Sequence, residues 1–484
     1  MKFLFIYPDV LSYDAAYEDN KGRYYTGVAQ LSACLRQAGI DTYLIHPIVH
    51  PERDEFISEI RSIDPDVIGF SVVTNMYHFV REWVAWIREA GLTQPVIIGG
   101  IHPTLDPEGV LAETGADCVC IGEGDAAVVE YAEALRSGTD PTGIQSLWFN
   151  YEGSVIRNPI RPLVEDLDVL PFPDWDIYDY NNLYDMKVHR RGTVLASRGC
   201  PNNCYYCCNH KMRNVYPNKS KYVRFNTVDY FIAELKEMVR RYPGIEYFLF
   251  NDDIFPISDR YLEEFTEKYI REVNLNFACL AHPNYLNPHK LDLLKRAGCV
   301  RLIIGVESGN ENIRKSLNRR VPQKKIIEAF TSAHERGIQT VSVNMVGLPF
   351  ETRESVLETI RLNAQLRTDL FQISIFYPYP FTESWDICVR EGFIKDKKDL
   401  EISSCFIQPV IDQPTISRDE VSFLHRHFTR LVWLYTFFDA DILFKKWTME
   451  ELDGFLSSLE FKDKFHTKWL LSPRLTKIGT GAGG

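Results

Sequence analysis

A chain of 484 residues is too long for one ordinary hydrophobic core, and 45 % apolar with 25 % charged residues is a composition that folds nearly throughout. A formal net charge of −12 without any cluster of Lys and Arg excludes a duplex-coating protein and sets nucleic acid aside as a partner. No apolar run approaches the roughly 20 residues that span a bilayer, and the opening MKFLFIYPDV meets a proline and an acid too soon for a secretory signal, so a cytoplasmic location is expected.

In chain order, KFLFIYP, DTYLIHP, VIGFSVV, PVIIGG and CVCIGEG are short apolar runs separated by stretches of helical periodicity. Strands this uniformly apolar are covered on both faces, which predicts a five-stranded doubly wound parallel domain over residues 1–140, Rossmann-like in form. Residues 141–189 read as a hairpin around NYEGS followed by a proline-bearing linker, LPFPDWDIYDYNN. A second alternating series then begins: TVLASRGC, YFLFNDD, NFACLAHP, VRLIIGVES, QTVSVNMVGLP and LFQISIFYPYP. Over residues 190–385 it fits a partial (β/α)6 barrel of the TIM type, in which chemistry gathers where strands end. Residues 386–484 read as mainly helical, and the aromatic segment FTRLVWLYTFF is expected to pack as core rather than to line a lid. The fold class is therefore α/β.

Eleven cysteines in a reducing compartment point to metal or redox chemistry before disulfides. Cys34, Cys118, Cys120, Cys279 and Cys299 lie in apolar segments and read as small buried hydrophobes. The distinctive run is SRGCPNNCYYC, where Cys200, Cys204 and Cys207 follow the first barrel strand in CxxxCxxC spacing. Three thiolates from one loop hold three irons of a cubane and leave the fourth open to an outside ligand. A zinc site would need a fourth donor, for which His210 stands nearby, and Cys208 has no assigned role.

This loop on this strand series resembles the signature of the radical S-adenosylmethionine (SAM) superfamily over residues 190–385. The resemblance implies a 4Fe-4S cluster on Cys200, Cys204 and Cys207, with SAM chelating the open iron and cleaved reductively to a 5'-deoxyadenosyl radical. It also implies a reducing electron donor such as flavodoxin or ferredoxin. Tyr206 takes the family's aromatic place beside adenine, and Asn251, Asp252 and Asp253 the place that holds the methionine ammonium, Asp252 being preferred. Glu307 matches the ribose-binding acid and Arg319 the carboxylate-binding arginine. Asn344 and Gly347 fall on the strand that runs beside adenine. His282, ending the third strand, faces substrate or donates a proton if it is not a structural histidine.

The loops GFSVVTN, IIGGIHPT and IGEGD, with the opening YPDV and the YYTGVAQLSACLRQAGI helix, resemble the cobalamin-binding domain of one branch of that superfamily. The resemblance places Pro8, Ser71, Thr74, Asn75, Tyr77, Gly99, Gly100, His102, Gly122, Glu123 and Gly124 around the corrin. The DxHxxG motif that supplies histidine to cobalt elsewhere is absent, so His102 reads as a loop residue and the cobalamin as lacking a protein histidine ligand. The implied activity is methyl transfer from methylcobalamin to an unactivated carbon of a small-molecule substrate, an apolar one if the aromatic carboxyl-terminal region bears on it. Radical cyclisation, oxidation or carbon–carbon coupling without methyl transfer is the alternative, followed by a non-catalytic cobalamin-binding sensor.

Overall fold

The computed structural model describes residues 1–10, 22–151, 153–255, 258–395, 400, 408–458 and 461–462. The first sheet contains β1 (Lys2–Ile6), β2 (Asp41–Ile45), β3 (Val67–Ser71), β4 (Val96–Gly99), β5 (Cys118–Cys120), β6 (Leu147–Tyr151) and β7 (Ser154–Arg157) in the order β2-β1-β3-β4-β5-β6-β7. Its first five strands are the expected parallel set. The predicted hairpin does not stand apart from them. It pairs antiparallel with β5 and extends the sheet to seven strands, covering an edge that would otherwise be open. Alternation divides the faces: Leu4, Ile6, Ile68 and Phe70 pack with the core of helices Arg53–Ile63 and Tyr77–Glu89, whereas Phe3, Phe5 and Ile97 join that of helices Thr26–Gln37 and Asp125–Ser137.

The second sheet holds β8 (Arg191–Val194), β11 (Tyr247–Phe250), β12 (Asn276–Ala281), β13 (Cys299–Glu307), β14 (Gln339–Val346) and β15 (Leu370–Ile375), all parallel, in the order β15-β14-β13-β12-β11-β8. Between β8 and β11, a two-residue antiparallel ribbon of β9 (Ser197–Arg198) and β10 (Arg224–Phe225) closes the neck of the cysteine loop. Helix Arg418–Phe437 buries Val421, Phe423, Leu424, Phe428 and Leu431 in the cluster that also contains Val346, Ile360 and Ile375; within the aromatic segment Phe428 is core, Trp433 and Tyr435 pack partly buried against it, and Phe437 and Phe438 are exposed. Among the described residues no helix is long and apolar enough to cross a membrane.

The segment that reads as a linker is not a free tether. Trp175 and Tyr180 open short 3₁₀ turns, Tyr178 follows the first in extended conformation, and all three belong to one continuous core that includes β1 of the first sheet and β11 of the second. Asp174 accepts hydrogen bonds from Ser32 and an ion pair from Arg36, while Asp176 accepts from Arg241 and Tyr242, so this stretch is tied to both halves. Trp175 is 1 % exposed. Trp175→Ala should therefore destabilise the chain by about 3–5 kcal/mol, the usual cost of deleting a buried tryptophan, read as a lower urea midpoint for the loss of tertiary signal from both halves together.

Candidate functional site

The strand ends of the second sheet converge on the cysteine loop. Gly199 enters it with φ +88°, and a Cβ there would strike the Tyr222 carbonyl, so the chain can turn into the loop only with glycine. Each of the three cysteines has a side-chain nitrogen donor nearby: Asn202 Nδ2 lies 3.7 Å from Cys200 Sγ, Arg319 Nη1 3.9 Å from Cys204 Sγ, and Asn209 Nδ2 3.8 Å from Cys207 Sγ. Burial raises the Cys204 thiol, and the Arg319 guanidinium works against that rise by favouring the thiolate. No three His, Cys, Asp or Glu side chains among the described residues close around a single ion. A single tetrahedral metal needs such closure, whereas a cubane spreads its three cysteines over three irons. His210 is not a spare donor either: Nδ1 faces the Cys207 carbonyl at 3.0 Å and Nε2 pairs with Glu383.

Arg319, at the end of the turn after helix Glu311–Ser316, is buried rather than solvent-facing. Its guanidinium donates to the Gly305 carbonyl and to the Tyr206 hydroxyl at 3.2 Å, and lies 3.7 Å from Glu307. Glu307 occupies the left-handed region at φ 67°, just past an irregularity in the β13–β14 register. Burial raises its carboxyl, with Arg319 and the Tyr206 hydroxyl opposing. Tyr206 packs on the cluster of Ile313, Leu348 and Phe376. Three residues singled out from separate segments thus meet around the Arg319 guanidinium, which reaches Cys204.

The neighbouring residues divide by strand parity. At the end of β11 Asn251 and Asp253 are exposed, but Asp252 is fully buried and accepts from Ser197. Burial pushes the Asp252 carboxyl up to about 7. The preferred acid of the three therefore points behind the sheet, while Asp253 shares Asn209 with Cys207. Asn344 is likewise fully buried, bonded to Ser342 and Asn363 behind β14 and turned away from the interior. Gly347 has φ +79° and donates its N–H to Glu351 at 2.7 Å. His282 caps a 3₁₀ turn through Nδ1, and burial with the nearby Arg319 lowers it to about 3, so it is a neutral imidazole.

At the carboxyl ends of β3, β4 and β5 lies a cavity of about 230 Å³. Ser71, Gly99, Gly100, Gly122, Glu123 and Gly124 line it, as the loop reading expects, together with Phe3, Phe5, Gly27, Gly69 and Ile97, which that reading missed. Gly27 and Gly99 have no positive φ, and a Cβ would meet nothing within 4 Å at Gly27 and, at Gly99, Cys120 at 3.5 Å and the Phe70 carbonyl at 4.0 Å. Neither backbone strain nor crowding requires glycine at these two positions; a larger side chain would take up open space. Pro8, Thr74, Asn75, Tyr77 and His102 do not line the cavity. His102 is not in a loop: it sits in the short helix Ile101–Leu105, its ring 4.1 Å from that of Tyr77 and its Nδ1 3.3 Å from Thr74 Oγ1. The helix starts there because Gly100, at φ +109°, bends the chain against the Val72 backbone. Burial lowers His102 to about 4.

The family model described as the Radical SAM superfamily matches residues 194–362, and that described as the B12 binding domain matches residues 24–132. The chain belongs to the radical SAM enzymes with a cobalamin-binding domain. It is 26 % identical to an uncharacterized methyltransferase of Pyrococcus horikoshii over 83 % of this chain and 85 % of that one. It is 24 % identical to an anaerobic magnesium-protoporphyrin IX monomethyl ester cyclase of Rubrivivax gelatinosus over 96 % of this chain and 84 % of that one. In fold it is similar to the radical SAM methyltransferase TsrM of Kitasatospora setae, solved with cobalamin and a 4Fe-4S cluster, at a TM-score of 0.63 and 18 % identity over 81 % of this chain and 75 % of that one.

In this radical SAM enzyme the cavity and the cysteine loop share a wall. Arg198, two residues before Cys200, lines the cavity and donates to both oxygens of Asp125 at 2.8 and 3.0 Å. Glu123 accepts from Arg198 at 3.2 Å and from Arg224 at 2.6 Å. Burial alone would raise Asp125, but Arg198 outweighs it and holds the carboxyl below its usual range. Both partners stood in motifs already singled out, SRGC and IGEGD, yet nothing local marks them as a pair. Glu234 is a second omission, an acid within the apolar stripe of Phe231, Leu235 and Met238. Burial, and after it the charge of Asp252, raises Glu234 to about 8. The folded state then holds this proton more tightly than the unfolded chain, so the stability it contributes is full below the ordinary value of 4.5 and is lost as pH rises toward about 8. Glu234→Gln should flatten the fall of the melting temperature across that window, measured by thermal unfolding at a series of pH values.

Proposed function

We propose that the chain is a cobalamin-dependent radical SAM methyltransferase acting on an unactivated carbon of a small molecule. The observation that carries the reading is the position of Arg198, which lines the cavity of the cobalamin-binding domain and directly precedes the cysteine loop. Cys200, Cys204 and Cys207 would hold a 4Fe-4S cluster, a donor set that suits their one-loop spacing and the N–H group beside each sulfur. The slot between Phe3, Phe5 and Ile97, with Gly27 and Gly99 on its wall, suits a flat aromatic portion of a corrinoid. Bound together, these groups supply reductive cleavage of SAM, hydrogen abstraction from the substrate and a transferable methyl group.

The chain's own residues bind, orient and exclude water. Arg319 offers a buried cation for the SAM carboxylate, and Glu307 offers an acceptor for ribose hydroxyls. Asn251 and Asp253, exposed beside the loop, are the acceptors available to the methionine ammonium, whereas Asp252 holds Ser197 in place behind them. Tyr206 presents a half-buried ring and locks Arg319 through its hydroxyl. Gly347 turns the chain at the end of β14 with its N–H held by Glu351, and Asn344 ties that strand to the helix behind it. His282, neutral with Nδ1 engaged, orients the turn at the end of β12. The reading requires a one-electron donor such as flavodoxin or ferredoxin, has no role for nucleic acid, and places the chain in the reducing cytoplasm, where these thiols stay free.

Anaerobic reconstitution with iron, sulfide and hydroxocobalamin tests this. Wild type should retain both cluster and corrin and release 5'-deoxyadenosine from SAM and reductant; Cys200→Ala, Cys204→Ala or Cys207→Ala should each abolish that release. Gly99→Leu should lower corrinoid retention at least about tenfold, as overfilling a formed pocket does, with iron content unchanged. Cluster without corrin would overturn the methyltransferase reading. The identity to a cyclase over 96 % of the chain favours ring closure as the second reading. Product mass separates the two, since methylation adds carbon whereas cyclisation removes hydrogen.

A further inference from the structure

Glu234 lies on helix Val228–Arg241, which packs behind the second sheet, and is only 4 % exposed. No hydrogen bond contributes to its electrostatics, and its one charged neighbour of note is Asp252, of like sign. It faces a recess of about 40 Å³ lined by Thr26 and Gln30 from the first half, Leu170 and Pro173 from the connecting segment, and Ser197 and Tyr230 from the second. Thr26, Gln30, Leu195 and Arg198 border both this recess and the larger cavity, so the two spaces adjoin. The recess has room for a small polar substituent, and Glu234, raised to about 8, is a neutral acid at pH 7 that can both donate and accept.

A buried polar group without a partner costs free energy, and native chains satisfy nearly all such groups. Other acids in this region are satisfied: Asp125 by Arg198, Glu123 by Arg224, Asp168 by Asn226 and Thr227. Asp252 also keeps one oxygen unpaired, but outside the recess, whereas Glu234 has no hydrogen-bond partner among the described residues and lines the recess. We propose that Glu234 determines corrinoid specificity by hydrogen-bonding the nucleotide tail of the ligand whose aromatic portion occupies the adjoining cavity. The inference rests on the proposed cobalamin binding and adds to it a residue from the barrel half, outside the segment matched by the B12 binding model. The recess selects the tail rather than the ring because it is narrow, and because its walls come from helix Thr26–Gln37 and the connecting segment.

The test uses the full-length protein, wild type and the variants Glu234→Gln and Glu234→Leu, with two probes: hydroxocobalamin, and cobinamide, which carries the ring without the nucleotide. Dissociation constants come from equilibrium dialysis, and melting curves establish that each variant is folded. Glu234→Leu should weaken hydroxocobalamin about tenfold, the scale of one buried hydrogen bond, and leave cobinamide unchanged; Glu234→Gln, which keeps a donor and an acceptor, should stay within about threefold of wild type. Equal hydroxocobalamin affinity in wild type and Glu234→Leu would overturn the proposal, as would an equal loss of both corrinoids. A wild type that binds neither probe would overturn the parent reading as well. If Glu234→Leu does not fold, Glu234→Asp replaces it, since a shortened acid should lose hydroxocobalamin affinity in the same selective way.

Discussion

The structure depends on a buried ionic knot. Arg198 and Arg224 belong to the ribbon that closes the neck of the cysteine loop, and Asp125 and Glu123 belong to the loop after β5 and the helix that follows it. Desolvating four charges is costly, and breaking one pair would leave its partner buried and uncompensated, a loss of about 3–5 kcal/mol in comparable sites. The arrangement stands because both arginines use more than one donor and Arg224 also reaches the Val164 carbonyl. Its geometric effect is to hold the entry of the cysteine loop against the end of the first sheet.

Around this knot the two halves are fused. The connecting segment contributes Trp175, Tyr178 and Tyr180 to a core shared by both sheets, and Asp168, Asp174 and Asp176 bind helices on either side. A radical intermediate needs an enclosure that does not admit water or stray hydrogen donors. A hinge between the cofactor-binding halves would defeat that, and the packing of the connector leaves no hinge there.

Much of the site was legible because its chemistry is local. Three cysteines in one loop, a tyrosine beside the third and polar residues at successive strand ends are all visible in the sequence, and Tyr206 and Glu307 do meet at Arg319, which reaches Cys204. The facing of residues was less legible. In a parallel sheet buried on both faces the two sides are equally apolar, so the pattern does not tell which residues of YFLFNDD or SVNMV look inward. For that reason the pattern does not announce that Asp252 and Asn344 lie on the side away from the interior. The Arg198–Asp125 pair was invisible because its members are 73 positions apart, and the hairpin's junction with β5 because sequence alone does not say which edge a hairpin joins.

The fused connector also bears on how the cavity keeps its shape. The cavity and its side recess are walled by elements from both halves, Gln30 and Gly124 on one side, Leu195 and Arg198 on the other, with Leu170 and Pro173 across the recess. Parting the halves would mean exposing a continuous core and unpairing buried charge together, so the walls of the two spaces keep one spacing whether or not they are filled. Whatever enters must therefore pass the existing mouth of the cavity, and fit is decided by a frame set at folding rather than by closure around the ligand.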